Sequence, residues 1–510
     1  MNVFLIAILA YLLALAAIGI YKSLGIRSGD EFSVAGRSVP AWKLVATLTC
    51  TWIGSGSLIA GAGLAYRMGF SELWLSAGAW VGIACIFFLA GRARRIAQFT
   101  LPQVLERRYN ATARVLGTIT IVIAYTTIAG YQFRGGGMVL KLVAGIPDGW
   151  GILITAGFCV LYTALAGMVS VVALDVLNGA IIILAVVIAV PALIYGVGGW
   201  SAVTAALPAD HFTMFGPDDI RHVELFGSQM VLPGFVWALG IGLPTFLLLL
   251  GESNMYQKFF SAESEKAARK AVVGWILGTI VVETLICVLA VVGSSHFKEL
   301  GKQTWMILGS ERTAEETIIL HTARHGAEVG LPIWVGVLLL CGAVAIIVST
   351  ANAFLLTPSI SLTRDIIQRF FWKNMSQKQL LLVQRLLVFV LAAVAWFLLR
   401  YYQNVLSMAL TAYTVVGAGI TPALVAAFLW KRVTVAGGVA SIAGGMATTV
   451  GITILNGYYQ ASHGAPWLAS DYIALVAAPV SIGLLVVVSL LTPPSPEEKW
   501  RPFVDAGTAA

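Results

Sequence analysis

Long apolar stretches alternate with short polar ones along almost the whole chain. Runs of about twenty residues, the length that crosses a bilayer as a helix, lie near 2–22, 42–67, 72–91, 113–138, 150–170, 174–195, 229–250, 270–293, 332–357, 379–400, 405–430, 434–456 and 471–491. The pattern predicts an all-α membrane protein with about thirteen spans. One run is a poor plain helix. Cys50-Thr51-Trp52-Ile53-Gly54-Ser55-Gly56-Ser57-Leu58-Ile59-Ala60-Gly61-Ala62-Gly63 carries four glycines in ten residues, each giving up about 0.8–1 kcal/mol of helix propensity against alanine. Inside a membrane, freed N–H and C=O groups are tolerated only where protein, water or a ligand satisfies them. The stretch therefore predicts either a binding site at the midplane or a close helix–helix seam of small residues.

The polar connections differ in charge. One set carries Arg27 and Arg37; Arg92, Arg94, Arg95, Arg107 and Arg108; Lys258, Lys266, Arg269 and Lys270; Arg364, Arg369, Lys373 and Lys378; Lys431 and Arg432; and Lys499 and Arg501. The positive-inside rule assigns that side to the cytoplasm. The other side holds two long mixed loops, about 196–228 and 294–331. An odd span count then puts the N-terminus outside and the C-terminus inside the cytoplasmic (inner) membrane. The N-terminal run Asn2 to Tyr21 lacks a basic n-region and reads as a retained helix rather than a signal peptide. Asn110-Ala111-Thr112 fits a glycosylation pattern but falls on the cytoplasmic side and is discounted.

Composition agrees: 59% of residues are hydrophobic and 11% charged, too apolar for a soluble fold of this length. The net charge of +8 belongs to the loops beside the spans and does not indicate nucleic-acid binding. Cys50, Cys85, Cys159, Cys287 and Cys341 all lie in apolar segments without CxxC spacing, which argues against a disulfide framework or zinc site. No P-loop or nucleotide-binding cassette is present, so the chain reads as a transporter rather than an enzyme or an ATP-driven pump.

Several segments together resemble the sodium:solute symporter family. They are Asp30-Glu31-Phe32-Ser33-Val34-Ala35-Gly36-Arg37-Ser38, Gly61 to Gly69, Tyr162 to Met168 followed by Ala173 to Asn178, Gln257 to Ala262, and Ile347 to Asn352. The resemblance runs in order over essentially the whole chain. It implies a LeuT-type fold, with two inverted five-helix repeats around a midplane site and broken first helices in each repeat. On that mapping residues 1–40 are a peripheral helix and loop, 41–228 the first repeat with its loop, 229–456 the second repeat region with one further helix, and 457–510 a peripheral helix and tail. The broken helices are then the glycine-rich span two and span seven, around Pro244 to Ser253.

Sodium is a hard cation and takes oxygen ligands. Ser349 and Thr350 follow Ile346 by three and four residues, which stacks both hydroxyls over the Ile346 carbonyl. There they either bond back to it or share it with an ion. The resemblance adds the carbonyls of Cys50 and Ile53. Asp175 reads as the start of span six, and a carboxylate there is costly enough to suggest function. In some relatives this acid binds a second sodium with two serines, whose places here are taken by Asn352 and Ala353. Asn352 has a carbonyl oxygen to offer and Ala353 has none. The alternative is an Asp that caps its helix or pairs with a nearby Arg.

Solute contacts are expected from Trp52 and Ser57 beside the glycines. The Trp52 to Gly56 segment resembles a choline-transporting branch, where tryptophan cages an ammonium by cation–π contact. Gln132 and Arg134 lie in a segment resembling a pantothenate branch, which carries a carboxylate, so the substrate stays open between them. Arg134 is placed to fork onto a carboxylate. Glu252 follows Gly251 where sugar-carrying relatives hold a solute-binding amide. Glu283 shares a helix face with Thr279. An internal Arg134–Glu252 pair is the bland alternative. Gly417-Ala418-Gly419-Ile420-Thr421-Pro422 predicts a kink in span eleven, with Tyr413 upstream as a candidate gate or a packing residue.

These readings describe a sodium-coupled symporter that carries a small polar organic solute by alternating access, for which a monomer suffices. One sodium contributes about 2.3 kcal/mol per 100 mV and about 1.4 kcal/mol per tenfold gradient. The rivals are proton coupling on the same fold and a membrane-embedded solute sensor.

Overall fold

The computed structural model describes residues 2–23, 37–96, 98–216, 221–307, 310–402 and 404–504. The motif Asp30 to Gly36 lies outside these residues. The bundle is built on α1 (Val3–Ser23), α2 (Ala41–Trp52), α3 (Ala62–Met68), α4 (Leu73–Ile96), α5 (Leu101–Arg108), α6 (Ala111–Ala144), α7 (Asp148–Gly196), α8 (Gly234–Gly251) and α9 (Ser253–Ser261), with shorter helices in the connections. The bundle continues with α10 (Glu265–His296), α11 (Ile333–Ser361), α12 (Gln377–Leu398), α13 (Val405–Gly419), α14 (Thr421–Leu429), α15 (Val435–His463) and α16 (Ile473–Leu491). Polar side chains start several of them by satisfying N–H groups that the first turn leaves open. Asn110 accepts from Ala113 N–H at α6, Ser264 from Ala267 N–H at α10, and Ser376 forms a capping box with Gln379 at α12. Asn110 of the discounted glycosylation pattern is thus a helix cap.

Among the described residues, twelve helical stretches are long and apolar enough to cross a membrane, one fewer than the hydropathy pattern suggests. The difference lies in the glycine-rich span. Its first half, α2, is only 12 residues long, and its second half runs through a π-helical turn at Gly56–Gly61 and α3 towards α4. Span seven breaks as well, between α8 and α9 at Glu252. Span eleven breaks between α13 and α14, where Pro422 supplies no N–H.

Two expectations are corrected here. Asp175 does not start its helix: it lies inside α7 (Asp148–Gly196), past the first turn of the apolar stretch Val171–Gly196, so it has no N-terminus to cap. Lys258 is not a loop cation. Span seven resumes as α9 after its break, which carries Lys258 inside, where it is 1% exposed.

Arg27 lies outside the described residues, and several of the other basic residues tie neighbouring connections together. Arg95 makes a bidentate pair with Glu265 (2.8 Å each), Arg94 donates to the Ala262 carbonyl, Arg92 to that of Phe428, and Arg108 to that of Val433. Lys499 reaches the Tyr109 carbonyl. Burial works against ionisation of Glu106, but Arg114 and Arg369 outweigh it and hold the carboxyl below the usual range. The long loops contain two antiparallel hairpins, β1 (His222–Leu225) with β2 (Ser228–Val231) and β3 (Thr304–Ile307) with β4 (Ser310–Thr313). Glu316, in the loop before α11, accepts the N–H groups of Val405 (3.0 Å) and Leu406 (3.3 Å) at the start of α13.

That contact makes a test. A carboxylate on a helix N-terminus contributes about 1–2 kcal/mol when partly buried. Glu316→Ala is expected to lower the stability of the purified protein by that amount in a chemical or thermal melt. A change below about 0.5 kcal/mol would mean that Asn404, which accepts from Ser407 N–H, caps α13 unaided.

Candidate functional site

The first break centres on Ile53, whose backbone turns extended (φ −72°, ψ 104°) at the end of α2. Gln132 of α6 secures the far side: its Oε1 accepts both the N–H (3.0 Å) and the hydroxyl (2.7 Å) of Ser55. A side chain thus takes up one of the backbone donors that the broken helix frees, as the low-dielectric setting requires.

The Ile53 carbonyl faces α11. Thr350 Oγ1 lies 3.3 Å from it, long for an O–H···O bond. A cation with metal–oxygen distances of about 2.4 Å holds two oxygens at right angles about 3.4 Å apart, so the spacing suits oxygens that share an ion. Ser349 lies alongside, with Oγ 3.3 Å from the Cys50 thiol and donating to Asp175 Oδ1 at 2.5 Å. Neither hydroxyl turns back on the Ile346 carbonyl; both point across to other helices. Cys50, Ile53, Ser349 and Thr350 are therefore brought together, with Ile346 one turn before the hydroxyls on α11.

Asp175 joins this group rather than forming another with Asn352. Thr47 donates to its Oδ2, and the Lys258 ammonium lies 3.8 Å from that oxygen. Lys258 also donates to the Thr47 carbonyl (2.7 Å) and to the Thr51 hydroxyl. Asn352 instead accepts from Thr163 at 2.6 Å. The two residues expected at a second sodium site share no partner, and the internal counter-charge of Asp175 is Lys258.

A second group lies on the other side of the break. Glu283 of α10 accepts from Trp52 Nε1 (2.9 Å) and Ser57 Oγ (3.1 Å) on Oε1, and from Trp80 Nε1 (2.7 Å) on Oε2. Trp52, Ser57, Glu72, Ser76, Glu283 and Tyr413 line a cavity between the broken helix, α4, α10 and α13. It has about 20 Å³ open to water centres, room for a water or two, so an organic solute enters only if a wall moves. Tyr413 is that wall's aromatic corner: its ring centroid is 6.2 Å from that of Trp52, and its hydroxyl is 3.3 Å from that of Tyr131. A Cβ added at Gly56 would lie 2.6 Å from the Tyr413 hydroxyl, so the missing side chain there lets the ring reach the broken helix.

The other expected solute residues are near but not in the cavity wall. Thr279 is fully buried one turn before Glu283, its hydroxyl without a hydrogen-bond partner. Glu252 sits at the second break, fully buried, and neither carboxylate oxygen meets a donor at hydrogen-bond geometry. Its electrostatic partner is Lys258, not Arg134. Arg134 is buried and acts on Glu316, so the Arg134–Glu252 pair does not form. That follows from depth: Arg134 serves the end of the bundle where Glu316 caps α13, while Glu252 sits at the break of span seven.

Sequence reasoning missed Glu72, Trp80 and Lys258. Glu72 carried a signal, being an acid at the edge of an apolar run. Lys258 carried a misleading one, since a basic residue just after an apolar run reads as a loop charge.

A sequence model of the sodium:solute symporter family matches residues 32–445. The sodium/proline symporter of Staphylococcus aureus (strain JH9) is 25% identical over 468 residues, covering 86% of this chain and 84% of that protein, and those of strains JH1 and Mu3 match equally. Among solved structures, a Na⁺-coupled sialic acid symporter in a substrate-bound outward-open state superposes with a TM-score of 0.74 at 16% identity, over 97% of this chain and 99% of that one. A nucleobase-cation-symport-1 family transporter in a closed conformation gives 0.56 at 12% identity, over 92% and 97%. These likenesses give the chain the LeuT-type fold with its two inverted five-helix repeats.

Proposed function

The chain belongs to the sodium:solute symporter family, and from that premise we propose which residues carry its activity. It is a multi-pass membrane protein that couples transport of a small organic solute to sodium. In our reading the sodium ion is held by the carbonyls of Cys50, Ile53 and Ile346 and the hydroxyls of Ser349 and Thr350. The observation that carries this is the approach of Thr350 Oγ1 to the Ile53 carbonyl, 3.3 Å across two helices about 300 residues apart in sequence. Asp175 accepts from Ser349 and is neutralised by Lys258, so one sodium suffices. The solute binds in the cavity of Trp52, Ser57 and Glu283, with Tyr413 as its gate. Gln132 holds the break, and Arg134 latches the loop end through Glu316.

The repeats divide as 41–228 and 229–456. The charge of the basic connections supports a cytoplasmic C-terminus and an external N-terminus. In the transport cycle sodium bridges α2 and α11 and fixes the broken helix; that aligns Trp52 and Ser57 for the solute, and closure of Tyr413 precedes opening towards the cytoplasm.

The ion alone provides the test. A ligand at 100 times its Kd stabilises the folded state by about 2.7 kcal/mol. Purified protein is expected to melt several degrees higher in sodium chloride than in potassium chloride of equal ionic strength, with a saturable sodium dependence. Identical melting in the two salts would sink the assignment.

A further inference from the structure

Taking the cavity beside the broken helix as the solute site, we infer that its solute is a protonated amine, held by the paired carboxylates of Glu72 and Glu283 between the rings of Trp52 and Tyr413. The inference rests on that reading of the cavity and goes on to the chemistry of its walls. Among the described residues, two acids line the cavity and no lysine or arginine does. Glu283 is met by three neutral donors, from Trp52, Ser57 and Trp80. Glu72 is 4% exposed. Its Oε1 takes a long contact of 3.3 Å from Ser76, the Cys287 thiol lies against the carboxyl group, and Oε2 meets no donor at hydrogen-bond geometry.

An unmet carboxylate oxygen in a low-dielectric cavity is costly, and a donor carrying positive charge meets it best. The basic groups that could have served are engaged elsewhere: Arg134 acts on Glu316 and Lys258 lies against Asp175. Glu252 is a third acid that acts electrostatically on Tyr413. A carboxylate-bearing solute would meet two acids and no lining arginine among the described residues, which discriminates against it.

The aromatic walls agree with the charge. The Trp52 and Tyr413 rings both line the cavity, with centroids 6.2 Å apart at a 35° tilt, and a π face turned to a cation attracts it. The local backbone is fitted to Glu72 as well: a Cβ at Gly61 would lie 2.9 Å from its Oε1, so the glycine lets that acid pack on the broken helix. The open oxygen separates amines from quaternary ammonium ions. Glu72 Oε2 calls for an N–H donor, which a tetraalkylammonium lacks. A cationic solute also adds its own charge to that of sodium, so each cycle moves two charges inward.

The test is a thermal-shift screen of the purified full-length protein in sodium chloride. The probes are alkyl, cyclic and aryl amines, each beside its neutral isostere, its carboxylate counterpart and its N-methylated quaternary derivative. At least one amine is expected to stabilise the protein saturably, and its three counterparts to do so at least tenfold less strongly. Glu72→Gln and Glu283→Gln should each weaken that amine about tenfold or more, while both variants keep the parent's stabilisation by sodium, which shows that they are folded. The inference is overturned if no amine stabilises, if carboxylates or zwitterions such as proline stabilise instead, or if both Gln variants bind the amine as the parent does. Failure of the cavity reading itself looks different: stabilisation by whichever solute binds would then be unchanged in Trp52→Ala and Tyr413→Ala.

Discussion

The Lys258→Met variant is expected to lose about 3–5 kcal/mol of stability, the cost of removing one partner from a buried ion pair, and to lose sodium-driven uptake with it. Lys258 and Asp175 are each 2% exposed at the side chain and lie 3.8 Å apart. Taking two charges out of water is repaid only while both are present. Lys258 has further duties: it donates to the Thr47 carbonyl and the Thr51 hydroxyl on α2, the helix that ends at the Ile53 carbonyl. Its loss therefore leaves Asp175 uncompensated and loosens the strand of backbone that contributes two of the proposed sodium ligands. The double variant Lys258→Met with Asp175→Asn should regain much of the stability, because no lone charge remains. Thermal or denaturant melts of the four proteins in the cycle measure the coupling. Additive effects of the two substitutions would contradict the pairing.

Thr350→Ala and Ser349→Ala are expected to raise the sodium concentration needed for half-maximal stabilisation or uptake by about tenfold or more each, the equivalent of losing one charge-assisted contact. The two should differ in a second property. Thr350 Oγ1 faces only the Ile53 carbonyl, so its removal acts on sodium and little else. Ser349 also donates to Asp175 Oδ1 at 2.5 Å, and its loss strips a donor from a buried carboxylate, adding a stability cost of about 1–3 kcal/mol. Thr350→Ser keeps the oxygen and should keep the parent's sodium dependence. A Thr350→Ala variant with unaltered sodium dependence would remove α11 from the ion site.

Two of the three breaks were legible from causes written in the chain, clustered glycines in span two and Gly417, Gly419 and Pro422 in span eleven; that of span seven came only from the family resemblance. The hydroxyls on α11 were legible from their spacing. Partnerships were not. Asp175 with Asn352 and Arg134 with Glu252 are reasonable pairings by residue type, yet Asp175 meets Lys258 and Ser349, and Arg134 acts on Glu316. Each of these partners comes from a segment distant in sequence, and nothing local records how deep a side chain sits along the bundle axis.

Hydropathy period and length determined that this chain spans a membrane many times, because a bilayer imposes one simple condition on every span: about twenty apolar residues with their backbone bonds satisfied internally. Loop charge marked which connections share a side for the same reason, since the membrane acts on each loop separately. The tertiary structure decided what those conditions leave free: that a lysine following an apolar run turns inward because its helix resumes beyond a break, that Glu72 and Glu283 face one cavity, and that Arg134 acts electrostatically on Glu316, which accepts N–H groups at the start of α13. A buried charge is stable only against a partner at a few ångströms, and which residue stands at that distance is fixed by helix packing, a property of the whole assembly rather than of any segment.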